Sequence, residues 1–141
     1  MVGWLNVTML LCDAAEETNG KLYILGGGWT HLLKPNIPTN MALAIVVHVP
    51  WDEAGKQHKL EVSLLKEDGE PVLLNGNPVK VEGAFEVGRT AGVKPGRELV
   101  APVAIQFSGL VLAPGEYTWE LLVNGGPGAT APFAVPEVAS S

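Results

Sequence analysis

Three histidines, at positions 31, 48 and 58, are the side chains best suited to metal binding or proton transfer. Metal sites that can be recognised from sequence place their ligands a few residues apart, whereas His31, His48 and His58 are widely separated and no cysteine pair joins them. His48 also lies between two valines, where a hydrogen-bonded structural histidine is the ordinary case. A metal-dependent enzyme built on these histidines and loop carboxylates is therefore the weakest hypothesis, and no cofactor is predicted.

A run of three glycines, Gly26-Gly27-Gly28, has the composition of a phosphate-binding loop but lacks its setting. Such loops continue into Lys-Ser/Thr and a helix N-terminus, whereas this run continues into Trp29-Thr30-His31 within a strand-like context. We expect the glycines to have a structural role, as a β-bulge or a crossing between sheets that needs positive φ.

No nucleophile occurs in a catalytic motif. Ser63 and Ser108 lie on predicted strands, and no serine occupies a Gly-x-Ser-x-Gly elbow. The single cysteine, Cys12, lies in a strand-like run between Leu11 and Asp13, which predicts a buried structural thiol without a neighbouring base. We therefore expect a protein that is not an enzyme.

Two tryptophans lie in predicted loops, where an aromatic ring could stack on a sugar or anchor a protein contact. Trp29 follows the glycine run and Trp51 follows Pro50. Together with His31 they are the candidate ligand-binding residues of a carbohydrate or small-ligand module. The alternative is that both rings cap the ends of the hydrophobic core, as Trp119 is expected to lie within it.

Composition limits the partners. Of the 141 residues 47% are hydrophobic and only 17% charged, and the formal net charge is −6 with the basic residues scattered. A nucleic acid or an anionic membrane would be repelled, and no apolar run is long enough to span a bilayer. Low charge favours self-association, so we expect a protein partner and a homo-oligomer. The single cysteine excludes an intrachain disulfide, and we expect a cytoplasmic location.

The elements that position these residues are short runs with period-two alternation, bounded by Gly, Pro and Asn, which predict β-strands. The segment 58–67 alternates cleanly, and the nearly all-apolar segment 41–49 predicts a central strand covered by the core on one face and by a loop or partner on the other. Pro102 within the segment 99–107 predicts an edge position or a bulge.

Around the first hairpin, Asn19-Gly20 predicts a tight turn that leads into the strand 21–25. The preceding segment 13–18 tolerates helix and is expected to be no more than a turn. Strand pairing is expected to resume at 29–33. In all we predict eight or nine strands in one domain, residues 1–135, with a disordered tail at 136–141; two packed antiparallel sheets are the favoured fold and a closed barrel the alternative.

The segment from Leu110 to Leu121 resembles the corner before a late strand of immunoglobulin-like sandwiches. There a Pro-Gly turn precedes a tyrosine whose hydroxyl bonds to backbone upstream. The resemblance implies an immunoglobulin-like Greek key in which Tyr117 is that structural residue and its acceptor lies near Ala113.

A second resemblance covers most of the chain. The block Leu11-Cys-Asp-Ala-Ala, followed by Gly20-Lys-Leu-Tyr-Ile-Leu-Gly-Gly-Gly-Trp, is similar to the opening of a family of short bacterial proteins classed as a domain of unknown function. The resemblance implies a bacterial, actinobacterial origin and assigns no catalytic residue. The leading hypothesis is a non-enzymatic, soluble all-β protein that acts as a protein-interaction or assembly module. It is motivated by the high apolar content at low charge, the nearly all-apolar segment 41–49 and the lack of a reactive constellation in the sequence.

Overall fold

The computed structural model describes residues 5–32, 35–89 and 91–137. Within them the chain forms strands joined by turns and loops, and a single 3-10 turn, Trp51–Glu53, follows the third strand. The strands are β1 (Asn6–Thr18), β2 (Lys21–Gly27), β3 (Thr39–Val49), β4 (Gln57–Lys66), β5 (Leu73–Leu74), β6 (Asn77–Pro78), β7 (Lys80–Glu86), β8 (Leu99–Leu110), β9 (Gly115–Val123) and β10 (Gly126–Val135).

Eight of these strands form two antiparallel sheets that pack face to face. Sheet A has the order β2-β1-β3-β8 and sheet B the order β10-β9-β4-β7, while β5 and β6 form a separate small hairpin. Both sheets have open edges, so the molecule is a sandwich and not a closed barrel. The prediction of an antiparallel β-sandwich is confirmed. The structure has ten strands in place of the predicted eight or nine, because the number includes β5 and β6, which are only two residues long each.

The core lies between the sheets and consists of the residues that alternate inward along each strand. Its centre is the fully buried Trp119 of β9, whose ring stacks on Phe107 of β8 at 4.2 Å between centroids. The contributions of the two central strands are Met41, Leu43, Ile45, Val47 and Val49 from β3, and Leu60, Val62 and Leu64 from β4. The predicted central strand 41–49 is thus β3, with hydrogen-bonded neighbours on both sides.

The first hairpin is longer than the sequence indicated. Asn19 and Gly20 have φ of 53° and 75°, which gives the two-residue turn that Asn-Gly favours. The segment 13–18, expected to be only a turn, instead continues β1 and pairs with β2 as far as Thr18 opposite Lys21. That expectation was wrong because pairing across the tight turn outweighs the weak local preference of the acidic segment for a helical turn.

The glycine run ends β2. Gly26 has φ of 60° and interrupts the regular pairing of β1 with β2, and the N–H of Gly28 donates to the carbonyl of Leu11 at 2.8 Å. The strand expected at 29–33 is wrong over its described part, because only an isolated bridge between His31 and Ala134 forms there; residues 33 and 34 lie outside the described residues.

The corner before β9 forms as its residues predict. The hydroxyl of Tyr117 donates to the carbonyl oxygen of Ala113 at 2.6 Å, and burial raises the pKa of this phenol. Pro102 lies in β8, which is an edge strand of sheet A, in agreement with the predicted edge position. Of the tail expected at 136–141, residues 138–141 lie outside the described residues, and its disorder stays a prediction.

Candidate interaction surface

The outer face of sheet B is charged. Ion pairs join Lys59 to Glu61 along β4 and Lys80 to Glu82 along β7, each with 3.0 Å between nitrogen and oxygen. The hydrogen bond from Lys59 to Glu61 raises the pKa of the lysine, and the hydrogen bond from Lys80 lowers the pKa of Glu82. The polar residues that alternate with apolar ones along β4 lie on this face, which is well solvated.

The middle of the outer face of sheet A is apolar. Strand register places Leu10 of β1, Ala44 of β3 and Ala104 of β8 in one row across the sheet. The neighbouring row contains Cys12 and Ala42. Small side chains therefore occupy the middle of a face that, in an antiparallel sheet with one solvated side, would ordinarily be polar.

Part of this face is covered by the chain itself. Pairing of β1 with β3 ends at Cys12, and beyond it the β1–β2 hairpin approaches β8, the strand on the far side of β3. The N–H of Ala15 donates to the Oε1 atom of Gln106 at 2.7 Å, and Ala15 and Leu22 pack with Cys12 and the outer alanines of β3. The hairpin arm, residues 13–25, is thus the loop that covers the second face of the central strand.

Cys12 is enclosed in this second, smaller cluster. Its side chain is fully buried, with Sγ 3.4 Å from the carbonyl oxygen of Ala42. Burial, and to a smaller extent the charge of Asp13, raises the pKa of the thiol. A thiol that is covered and held protonated is a poor nucleophile, which fits the expected structural role.

The remaining apolar side chains are exposed along the hairpin arm. Tyr23, Ile24 and Leu25 of β2 are 56%, 40% and 71% exposed, and Leu10 of β1 lies beside Ile24 at Gly27. We call this set, Leu10 with residues 22–25, the apolar edge. Because β2 is the terminal strand of sheet A, its outward backbone groups have no strand partner within the described residues. An exposed edge strand with a single charge is a ready template for pairing.

His58, the one buried histidine among the described residues, has a structural environment. Its Nε2 atom lies 2.9 Å from the carbonyl oxygen of Glu53, and its Nδ1 atom lies 3.0 Å from the amide nitrogen of Asn124. The amide oxygen of Asn124 accepts from the N–H of Lys59, which fixes the amide's orientation. In this arrangement the Nε2 atom donates to the carbonyl and the Nδ1 atom accepts from the amide, so both ring nitrogens are engaged.

The structure does not bring the three histidines together. His48 pairs with Glu98 at 2.9 Å between Nδ1 and Oε1, and His31 is exposed with its Nδ1 atom 3.1 Å from the hydroxyl of Thr30. Among residues 5–32, 35–89 and 91–137, no three His, Cys, Asp or Glu side chains are grouped as metal ligands would be. The weak metal-enzyme hypothesis gains no geometric support from this arrangement.

The two loop tryptophans are half-buried and pack against the core. The ring of Trp29 meets Phe133 edge-on at 5.9 Å, and Trp51 lies under the guanidinium of Arg89, which is 4.9 Å from the ring centroid and donates to the carbonyl of Trp51. The buried indole nitrogen of Trp29 has no hydrogen-bond partner among the residues that the structure describes. These contacts are the ones expected of rings that cap the core.

Trp29 and Trp51 lie at opposite ends of the sandwich. Phe133, the neighbour of Trp29, pairs with Tyr117, which itself pairs with Lys66 at the end of β4. The 3-10 turn that contains Trp51 instead contacts the start of β4 through the bond from His58 to Glu53. The candidate ligand residues Trp29 and His31 therefore share one end of the molecule, and Trp51 cannot join them on one small ligand.

The apolar edge was missed by reasoning on sequence. The segment Lys21 to Leu25 reads only as the returning strand of a hairpin, and no rule assigns it an edge position. One signal was available: four consecutive apolar residues interrupt the alternation found in β4, so both faces of β2 are apolar. In a central strand this pattern is buried, whereas here the strand is terminal.

Comparisons with known proteins assign no activity to the chain. No curated protein and no solved structure matches the chain. No helix in the described ranges has the length and hydrophobicity needed to cross a membrane. A family model does match, over residues 7–136, and it describes a family of unknown function, DUF6941. The expected membership in an uncharacterised domain family is thereby confirmed: the chain belongs to the family DUF6941.

Proposed function

We propose that this protein is a non-enzymatic interaction module that contacts another protein chain through the apolar edge of sheet A. The observation that carries the proposal is the exposure of Tyr23, Ile24 and Leu25 on a terminal strand with a single charge, Lys21. Burying these side chains and pairing the backbone edge would both release free energy, and both require a second polypeptide.

The contrast between the two sheets supports this choice of surface. Edge strands that remain solvated usually carry charges or prolines, and β7 follows that rule with Lys80, Glu82 and Glu86. On the opposite edge of sheet A, Pro102 interrupts the donors of β8. Of these three edge strands, only β2 combines exposed apolar side chains with the absence of proline and acidic residues.

Two finer assignments accompany the proposal. The hydrogen bond from Tyr117 to Ala113 supports an immunoglobulin-like arrangement of the sandwich. A lone, buried and protonated thiol at Cys12 is compatible with the reducing cytoplasm as the place where the module acts.

The test is photo-crosslinking in cells of the source organism. A benzophenone amino acid placed at Leu25 should form covalent adducts with protein, whereas the same residue at the exposed Glu82 of sheet B should form none. Mass spectrometry of the adducts identifies the second chain. Adducts absent from position 25, or equally abundant at both positions, would contradict the proposal.

A further inference from the structure

We infer that the partner at the apolar edge is a second copy of this chain, paired antiparallel through β2 so that the two sheets A join into one eight-stranded sheet. This inference rests on the proposed interaction function and names its partner. Three features of the hairpin arm support it: the direction of the backbone groups of β2, the pairing of the exposed side chains of β2, and two charges that have no ion-pair partner among the described residues.

The backbone direction follows from the hairpin. In a two-residue turn the flanking residues, Thr18 and Lys21, exchange hydrogen bonds, so every second residue of β2 faces β1. The N–H and C=O groups of Leu22 and Ile24 therefore point away from the sheet. A second β2 strand can bond to them, and an antiparallel two-fold axis at Ile24 lets the two copies of this residue exchange both bonds.

This register pairs the exposed side chains with one another. Tyr23 of one copy lies opposite Leu25 of the second copy, in the closer, non-hydrogen-bonded type of pair, and the two-fold axis repeats the contact. These are the two most exposed apolar side chains of the strand. Leu22 lies opposite Gly26, whose positive φ ends the regular edge.

The charges are complementary in the same register. Lys21 lies opposite Gly27 of the second copy, one residue from Gly26, and the carboxylate of Asp13 covers Gly26. Within the described residues neither Lys21 nor Asp13 takes part in an ion pair. Self-pairing therefore brings each lysine close to the aspartate of the other copy, twice per dimer.

A single strand edge buries little area, so the dimer is expected to be weak, with a dissociation constant of about 10 μM to 1 mM. Sedimentation velocity of the purified full chain across this range should show conversion from the 14.9 kDa monomer to a species of twice that mass. A chain that stays monomeric at about 1 mM overturns the inference. Crosslinks from position 25 to a different protein would then still support the proposed interaction function.

Two sets of variants test the geometry. Ile24→Pro removes the outward N–H at the two-fold axis without removing a bond to β1, and should weaken dimerisation at least about tenfold, whereas the control Ile24→Thr keeps the N–H and a β-branched side chain. Lys21→Glu and Asp13→Lys should each weaken it about fivefold by placing like charges together, and the double exchange should restore it.

The charge exchange keeps the test valid even if the proline variant fails to fold, because both charged residues are exposed. Circular dichroism of each variant checks the fold. A dimer that none of these substitutions weakens would use another surface and would overturn the inference, as would a double exchange that restores nothing.

Discussion

The outer faces of the two sheets obey the same geometry and have opposite chemistry. On sheet B the outward positions carry Lys59, Glu61 and Glu82 in a network of short-range ion pairs. On sheet A the corresponding positions carry Ala42 and Ala44, which are buried beneath the chain's own hairpin arm. The outer face of sheet B is therefore covered by solvent, whereas the middle of the outer face of sheet A is covered by the hairpin arm.

The cover on sheet A is incomplete, and this is the source of the functional proposal. The arm buries a small cluster around Cys12 but in doing so presents its own edge strand to solvent. An edge that is apolar on both faces is unusual, since exposed edges ordinarily carry charge or proline. We therefore interpret the arm as both a lid on the alanine face and the contact region for a second chain.

The largest expected effect comes from placing the same charge on each face. Ala42→Asp puts a carboxylate into the fully buried cluster under the arm and should lower the free energy of unfolding by about 3 kcal/mol. Ser63→Asp, on the outer face of β4 between Lys80 of β7 and Glu120 of β9, should change it by less than about 0.5 kcal/mol. Urea unfolding measures both; equal penalties would mean that the arm does not cover sheet A.

A smaller effect, of opposite sign on the two sheets, is expected from two glycines. Gly26→Ala forces a side chain onto φ of 60° and against the carboxylate of Asp13, and should destabilise by about 1–2 kcal/mol. Gly83→Ala in β7 meets no atom within 4 Å and should be neutral or stabilise by up to about 1 kcal/mol, because it restricts the unfolded chain. Thermal unfolding compares the two; a neutral Gly26→Ala would show that the positive φ at Gly26 is not a structural requirement.

Much of this contrast could be predicted from the sequence, and the reason is local. The alternation of β4 contains enough information to assign both of its faces, and the uninterrupted apolar run of β3 correctly implied a second cover. The sequence did not reveal which segment provides that cover, because the cover depends on β1 extending through 13–18 and bending over the sheet. Where that segment packs is set by tertiary contacts between residues distant in sequence, and the bond from Ala15 to Gln106 is one of them.

The candidate site shows the same limit. Trp29 and Trp51 have the residue type and loop position that suggest ligand binding. In the structure, however, the ring of Trp29 packs against Phe133 and the ring of Trp51 packs against Arg89. The apolar edge shows the opposite case. Its residue types are those of an ordinary buried core, yet the structure leaves Tyr23, Ile24 and Leu25 exposed. Whether a strand is central or terminal is a property of sheet order, which no local pattern in 21–25 encodes.

The closure of the arm can be followed through Cys12, whose labelling by a thiol reagent requires the arm to open. Gln106→Ala removes the acceptor for the N–H of Ala15, at a cost of about 1 kcal/mol, and should speed labelling about fivefold, whereas Gln106→Glu keeps an acceptor and should not. Thr8→Cys in a Cys12→Ala background, on the uncovered part of the same face, should react at once.

This protection should also depend on pH in a defined direction. Because burial raises the pKa of the Cys12 thiol above its ordinary value of 9.0, the closed arm favours the protonated form. The stabilisation is complete below pH 9 and is lost as pH rises through the raised pKa, since the thiolate forms more readily once the arm is open. Protection that increases above pH 9 would contradict this account.

The smallest effect is expected on the charged face. Lys80→Gln removes the hydrogen bond that holds the pKa of Glu82 below its ordinary value of 4.5, so an NMR titration should show that pKa rising towards 4.5, while Lys94→Gln, in a distant loop, should leave it unchanged. Any stabilisation from the lowered pKa exists above the unfolded value and is lost as pH falls through the folded one. Both groups are solvated, so the free energy of unfolding near neutral pH should stay within measurement error for either variant. A measurable loss of stability would mean that the ion pairs of sheet B contribute to its cohesion, and that this face too depends on specific contacts and not on solvent alone.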